Sequence, residues 1–311
     1  MRFGLSLYDI TATELVEAAL AAEAAGFESL WLGEHLLLPV DYGAVHPTRQ
    51  PEQERSARIV APDTELVDPL VALAGAAART ERIQLATGIY LLPLRHPLAV
   101  ARATLTLQEL SGGRLLLGVG AGWLRDEFDA LAVPFDDRAL RLEESIAILR
   151  TAWAGGVFEH HGTVYDFGPV QLTAHAVRVP LILGGNAAPA LRRAALWADG
   201  WFASGTPSLA EAVELLGRLE SAQATAGRAV PLTTYVRASP AADADVRRYE
   251  EAGVTQVIFW AHELCPPGPG RWDGLADAAA ALGVPPPAAA PGVPPPPAAP
   301  GRQPEMDGAR S

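Results

Sequence analysis

The chain has 311 residues, 49% hydrophobic and 19% charged, a composition suited to one large globular domain with a sizeable core. With 24 Lys and Arg against 36 Asp and Glu the formal net charge is −12, which excludes the basic face that sequence-independent nucleic-acid binding requires. A single cysteine, Cys265, excludes an intrachain disulfide and a cysteine-based metal site.

Taken in chain order, residues 2–7 read as an apolar strand, without the charged, apolar and small-residue regions of a signal peptide. Residues 13–25 are an alanine-rich helix with Thr11 or Thr13 as its cap and Gly26 as its stop. Residues 29–32 are strand. A proline-containing stretch, residues 36–63, is too long for an ordinary barrel loop and reads as a lid or binding loop. Residues 68–79 are helical, 83–88 strand, 97–110 helical up to Ser111-Gly112-Gly113, and 115–119 strand. Apolar residues around a glycine-containing turn make residues 158–167 a small hairpin inserted before the fifth strand. Residues 181–183, 200–203, 232–236 and 256–260 supply four more strands, with a helix over 189–197. Eight apolar runs alternating with helices imply a parallel sheet covered on all sides, and eight units favour closure into a (β/α)₈ TIM barrel over an open doubly wound sheet. Residues 1–283 form this domain. Residues 284–311, dominated by proline, alanine and glycine, read as a disordered tail. No apolar run approaches the roughly 18 to 20 residues that span a bilayer, so no membrane partner is expected and a reducing cytoplasm is the expected location.

Barrel active sites lie at the C-terminal ends of the strands. That rule nominates Tyr8 and Asp9, Glu34 and His35, Gly88 to Tyr90, Gly120 to Trp123, Gly184 to Asn186, Ser204, Arg237, and Trp260 with His262. Glu34-His35 is the most pointed pair, because an imidazole titrates near neutrality and a carboxylate can orient it or carry a proton. A solvated loop pair is the bland alternative. The run Gly118-Val119-Gly120-Ala121-Gly122 departs from the G-x-G-x-x-G spacing and turn chemistry is its bland reading, yet bare main chain at Gly88, Gly120 and Gly122 would let a planar ring lie against it. Gly184, Gly185 and Asn186 precede a helix start, where backbone N–H groups suit a phosphate; an ordinary turn is the alternative. Tryptophans 31 and 201 are assigned to the core. The histidines show no ligand spacing, so no metal is expected.

As a set these stretches resemble the luciferase-like monooxygenase superfamily, most closely its class dependent on the deazaflavin coenzyme F420. The resemblance is carried by Gly26 to His35, Thr80 to Gly88 with Leu92 to Pro97, Leu110 to Arg114, Gly118 to Trp123 with Glu127-Phe128, Pro180 to Gly185 and Ala198 to Trp201. It implies a barrel whose strand ends hold the deazaflavin, with Gly184 and Gly185 at its phosphate. A non-proline cis peptide is implied at Gly88-Ile89 behind the ring. Glu34 and His35 occupy the acid-histidine position, where the family usually has aspartate in place of Glu34. Trp123 stands where sugar-phosphate dehydrogenase members carry a catalytic glutamate, which argues against that substrate class. The implied activity is hydride transfer between F420 and a small-molecule substrate, in a possible homodimer served by a cofactor-reducing partner enzyme. An FMN-dependent two-component monooxygenase, and a barrel without chemistry that serves in binding, are the alternatives. An anionic cofactor tail on an acidic protein requires local positive charge, for which Arg95, His96 and Arg125 are the candidates.

Overall fold

The computed structural model describes residues 1–37, 39–40, 64–240 and 246–287. Its strands are β1 (Arg2–Leu7), β2 (Ser29–Leu32), β3 (Gln84–Thr87), β4 (Tyr90–Leu91), β5 (Leu115–Gly120), β6 (Val157–His161), β7 (Asp166–Gln171), β8 (Leu181–Gly184), β9 (Gly200–Phe202), β10 (Thr233–Arg237) and β11 (Gln256–Trp260). Eight of them close a ring of parallel pairs in the order β1, β2, β3, β5, β8, β9, β10, β11 and back to β1. The barrel expected from the alternation of apolar runs and helices is therefore present, and the open sheet is excluded. Short β4 pairs with the far end of β5, and β6 and β7 form the separate antiparallel hairpin.

The ring is filled, not hollow. Trp31, Ala86, Leu116, Ile182, Phe202, Tyr235 and Ile258, one from each of seven barrel strands, form a buried cluster of their own inside it. The eighth strand contributes Gly4, where a Cβ would come within 3.1 Å of the Trp31 indole nitrogen; the missing side chain is what admits the tryptophan. A second, larger core lies between the barrel and its helices, whose alanine-rich inner faces allow close approach to the strands. Thr11 caps the Ala12–Ala24 helix reciprocally with Glu14, Asp68 caps Pro69–Ala77, and Gly26 leaves the first helix with φ +90°, as its position after the last turn demands.

Two family stretches turn out to be structural. In Ser111-Gly112-Gly113-Arg114 the guanidinium donates to the carbonyls of Ala77, Thr80, Ile83 and Ser111 and to the Thr80 hydroxyl, tying the end of one helix to the start of β3. In Ala198-Asp199-Gly200-Trp201 the Asp199 carboxylate accepts from Leu181 N–H at 2.8 Å, and the buried Trp201 indole donates to the Gly185 carbonyl.

Val284, which composition assigns to the tail, packs with the domain. Gly283 adopts φ +77°, Val284 N–H returns to the Ala279 carbonyl, and Val284 is buried against the core, a helix-end motif closed by an apolar contact. The Pro285 carbonyl lies directly over Gly26. Residues 288–311, like residue 38 and residues 41–63 of the expected lid, lie outside the described residues. No described helix is long and apolar enough to cross a membrane.

Candidate active site at the barrel mouth

Glu34 and His35 follow β2 as immediate neighbours, so their side chains leave the chain in different directions and meet different partners. His35 is buried, 7% exposed, with Nδ1 2.9 Å from an Oε of Glu127. The other Glu127 oxygen accepts from Leu36 N–H at 2.7 Å. Glu127 is itself sealed at 1% exposure, so its carboxylate fixes both the imidazole and the backbone that carries it. A carboxylate acceptor makes Nδ1 the protonated nitrogen and leaves Nε2 basic. That Nε2 has no hydrogen-bond partner among the described residues and is not sealed from solvent. The ring stands edge-on to Trp123 at 5.7 Å and to Tyr8 at 6.3 Å between centroids.

Glu34 faces the other way. One oxygen accepts from Leu91 N–H and the other from the Arg95 guanidinium, each at 2.6 Å. Burial pushes the Glu34 carboxyl above the usual carboxylate range, against the pull of the Arg95 charge and the Leu91 N–H. Glu34 also holds the Arg95 guanidinium firmly charged. Both Glu34 oxygens are thus occupied in fixing the strand that follows the Gly88-Ile89 bond.

The Gly88-Ile89 peptide is cis, as the resemblance implies. Here β3 leaves its pairing with β5 after Ala86 and resumes it through Tyr90 and Leu91, so residues 87–89 bulge at the mouth. The glycines around the bulge have close neighbours of their own. A Cβ on Gly120 would lie 2.0 Å from Ile89 Cδ1, and one on Gly184 2.8 Å from Ile89 Cγ2. In the direction a side chain would take, both glycines meet the Ile89 side chain, so Gly120 and Gly184 seat the bulge, while Gly184 stays partly exposed. Gly118 makes room for the Thr87 carbonyl, and Gly122, at φ +81°, for the Phe128 ring. Each glycine of that run answers to a neighbour, which is why its spacing matches no dinucleotide fingerprint.

Gly185 adopts φ +124° beside Ala190 and presents its carbonyl to Trp201. The Asn186 amide exchanges two hydrogen bonds with the Ser204 main chain, at 3.0 and 2.9 Å, locking the ends of β8 and β9 together. Its side chain is therefore committed, and the first N–H groups of the Ala188–Trp197 helix, whose cap residue Ala187 has no side-chain acceptor, are what this rim offers an anion.

The cations named from sequence are all engaged. Arg95 pairs with Glu34 and Asp68, Arg125 with Asp136, and His96 caps the Pro97–Leu110 helix. Arg237, at the end of β10, makes no ion pair with a described carboxylate. It is 6% exposed, donates to Ser6 Oγ at 3.2 Å and to the Gly88 carbonyl at 3.0 Å, and lies over the rings of Phe202 and Trp260. Burial drives its pKa down to about 9, still a cation at neutrality. Arg237 was nominated by its place at a strand end; Glu127 was passed over by that rule, and its place in the Gly118 to Phe128 stretch was the available signal.

A basic imidazole nitrogen, a buried cation and an aromatic wall around a backbone bulge suit a flat, electron-rich redox group. The pieces define an oxidoreductase built on a parallel barrel. The chain belongs to the luciferase-like monooxygenase family, whose model matches residues 2–283. It is 33% identical to an uncharacterised protein of Mycobacterium tuberculosis over 288 residues, 90% of this chain and 95% of that one. It is 30% identical to an F420-dependent glucose-6-phosphate dehydrogenase of Nakamurella multipartita over 270 residues, 84% of this chain and 72% of that one. Among solved structures it is similar to an F420-dependent secondary alcohol dehydrogenase bound to an F420-acetone adduct, with a TM-score of 0.68, 16% identity, and 90% and 98% of the two chains covered. It is also similar to the FMN-bound oxygenating constituent of 3,6-diketocamphane monooxygenase from Pseudomonas putida, with a TM-score of 0.59, 18% identity, and 76% and 66% covered. At those identities the structures establish the fold.

Proposed function

We propose that this chain is an F420-dependent oxidoreductase that moves a hydride between the deazaflavin and a small organic alcohol or carbonyl compound. The observation that carries this reading is His35, held on Nδ1 by a sealed carboxylate and unpartnered on Nε2, at the same mouth as the cis Gly88-Ile89 bulge. The identity to an F420-dependent enzyme over 84% of the chain favours the deazaflavin over FMN. The bulge would support the ring through Ile89 and its flanking backbone, and Gly185 with the start of the Ala188–Trp197 helix would receive the phosphate. When bound, the deazaflavin supplies or accepts the hydride. His35 Nε2 takes the hydroxyl proton as an alcohol loses hydride, and returns it to the oxygen in the reverse direction. Glu127 stabilises the imidazolium that forms, as carboxylates behind catalytic histidines do. Trp123 and Tyr8 wall the site and limit water. With Trp123 in place of a carboxylate, a sugar phosphate is not the substrate proposed, despite the relative's activity. In keeping with the family resemblance, a homodimer in the cytoplasm, supplied by a separate cofactor-reducing enzyme, completes the proposal.

Titrating the purified protein with F420 and with FMN tests it. Saturable F420 binding, followed by loss of the oxidised absorbance on adding secondary alcohols, is expected. Tight FMN binding with no detectable F420 binding would transfer the chain to the two-component monooxygenases.

A further inference from the structure

Arg237 is buried at the mouth and has no counter-charge among the described residues. Three carboxylates of the described mouth are committed elsewhere, Glu34 to Arg95 and Leu91 N–H, Glu127 to His35 and Leu36 N–H, and Asp9 to Glu65 N–H. The guanidinium is instead held by neutral groups. Its Nε donates to Ser6 Oγ, its Nη2 to the Gly88 carbonyl, and its plane rests against Phe202 at 4.6 Å and Trp260 at 4.1 Å. Nη1 makes no hydrogen bond among the described residues and is not sealed off. Aromatic faces and two neutral acceptors offset part of the cost of taking a cation out of water, but an uncompensated charge in a medium of low polarity remains costly and acts strongly on whatever arrives beside it. The same side chain grips the carbonyl of the cis peptide, the element proposed above to support the redox ring.

We propose that Arg237 is a positioning residue that meets the negative charge of the ring's pyrimidine edge in its reduced state and so raises the reduction potential of the bound ring. This rests on the cofactor reading above. A cation at that edge favours the reduced, electron-rich form over the oxidised form, so its signature is a ratio of affinities and not an affinity alone. A purely structural bolt between β10, β1 and the bulge would lower both affinities together and leave the ratio alone.

The test uses the full chain with FMN and F420 as probes, each in oxidised and in chemically reduced form, in wild type, Arg237→Met and Arg237→Lys. The wild type should bind reduced ring more tightly than oxidised. In Arg237→Met the ratio of oxidised to reduced Kd should fall at least tenfold, which for a two-electron couple is a midpoint about 30 mV more negative. Arg237→Lys, which keeps the charge, should stay within about threefold of wild type. An unchanged ratio in Arg237→Met overturns the proposal, and so does an equal fall in both variants. If Arg237→Met does not fold, the wild type decides alone: a bound ring whose potential lies below that of the free ring overturns it. Should neither ring bind the wild type in either form, the cofactor reading itself falls; a changed affinity with a constant ratio removes only the role of Arg237.

Discussion

Replacing Gly120 by alanine separates two accounts of the glycines at the mouth. The new Cβ would lie 2.0 Å from Ile89 Cδ1 and 3.4 Å from Cγ1. Carbon atoms in contact sit at about 3.5–4.0 Å, so Cδ1 must move by roughly 1.5 Å in a crowded bulge. Overpacking of this size costs about 1–3 kcal/mol. Ile89→Val deletes Cδ1 and costs about 0.5–1.5 kcal/mol, toward the lower end because Ile89 is half-buried. In the double variant the clash has no object, so its destabilisation should approach that of Ile89→Val alone, a coupling of about 1–2 kcal/mol. Gly184→Ala is the internal control: its Cβ meets Ile89 Cγ2, which valine retains, so Ile89→Val should not rescue it. Gly118→Ala meets the Thr87 carbonyl oxygen at 1.9 Å and should be the costliest of the three, beyond rescue by any change at Ile89. Equilibrium unfolding in urea, read by tryptophan fluorescence, gives the four corners of the cycle. Additivity of Gly120→Ala and Ile89→Val within about 0.5 kcal/mol would refute the packing account. A Gly120→Ala protein of unchanged stability that no longer binds its ring would restore the open-slot account in its place.

Further outcomes follow from contacts at the mouth, at the opposite end of the barrel and at the hairpin. His35→Ala should lower kcat by about 10²–10⁴-fold, and Glu127→Gln by about 10–100-fold with KM little changed, measured as steady-state cofactor oxidation or reduction. Glu34→Gln leaves the Arg95 guanidinium with only Asp68, 3.5 Å away, and should cost about 2–4 kcal/mol in urea unfolding, below the full value for a buried pair because Arg95 is partly exposed. Arg114→Ala abandons four carbonyls at once and should lower stability by about 2–4 kcal/mol, with Arg114→Lys recovering little, since one ammonium cannot reach that fan. Glu144 is pushed up by burial, but the N–H groups of Thr163, Val164 and Tyr165 outweigh this and bring its pKa below the ordinary 4.5. Its stabilisation is therefore full above about pH 4.5 and fades as acid titrates it below that value. Glu144→Gln should flatten the acid limb of stability against pH, and an unchanged limb would show the hairpin turn does not depend on that charge.

The strand ends were legible because both signals that mark them are local. Apolar runs bounded by glycine give the strands, and the residues just beyond give the mouth, so His35, Gly88, Ile89 and Arg237 could all be nominated from sequence. What those residues do with one another could not be read, because it depends on segments far apart in the chain. Glu127 lies 92 residues from His35, and nothing in the helix that carries it announces that its carboxylate turns inward. Arg95 offers the converse lesson: as a cation near a glycine-rich mouth it invited assignment to an anion, yet Glu34, 61 residues earlier, already holds it. The packing of Val284 was hidden from composition for a similar reason. Val284 belongs to a proline-rich run, but one apolar side chain after a helix-ending glycine suffices to close the core.

Glu34 and His35 also show why the adjacent pair should not be treated as one catalytic unit. From one peptide they reach into two walls of the mouth, one through Arg95 and Leu91 to the bulge, the other through Glu127 to the segment after β5. A longer carboxylate than the aspartate usual in the family fits this division, since Glu34 has to span to a main-chain N–H beyond the cis peptide and to a guanidinium at once. Shortening it with Glu34→Asp tests the point. One methylene, about 1.5 Å of reach, cannot be withdrawn without loosening at least one of two 2.6 Å contacts, so stability should fall by about 1–2 kcal/mol while His35, tied to Glu127, keeps its place. If Glu34→Asp matched wild type in stability and lost turnover as completely as His35→Ala, Glu34 would be part of the chemistry and its separation from His35 would be wrong.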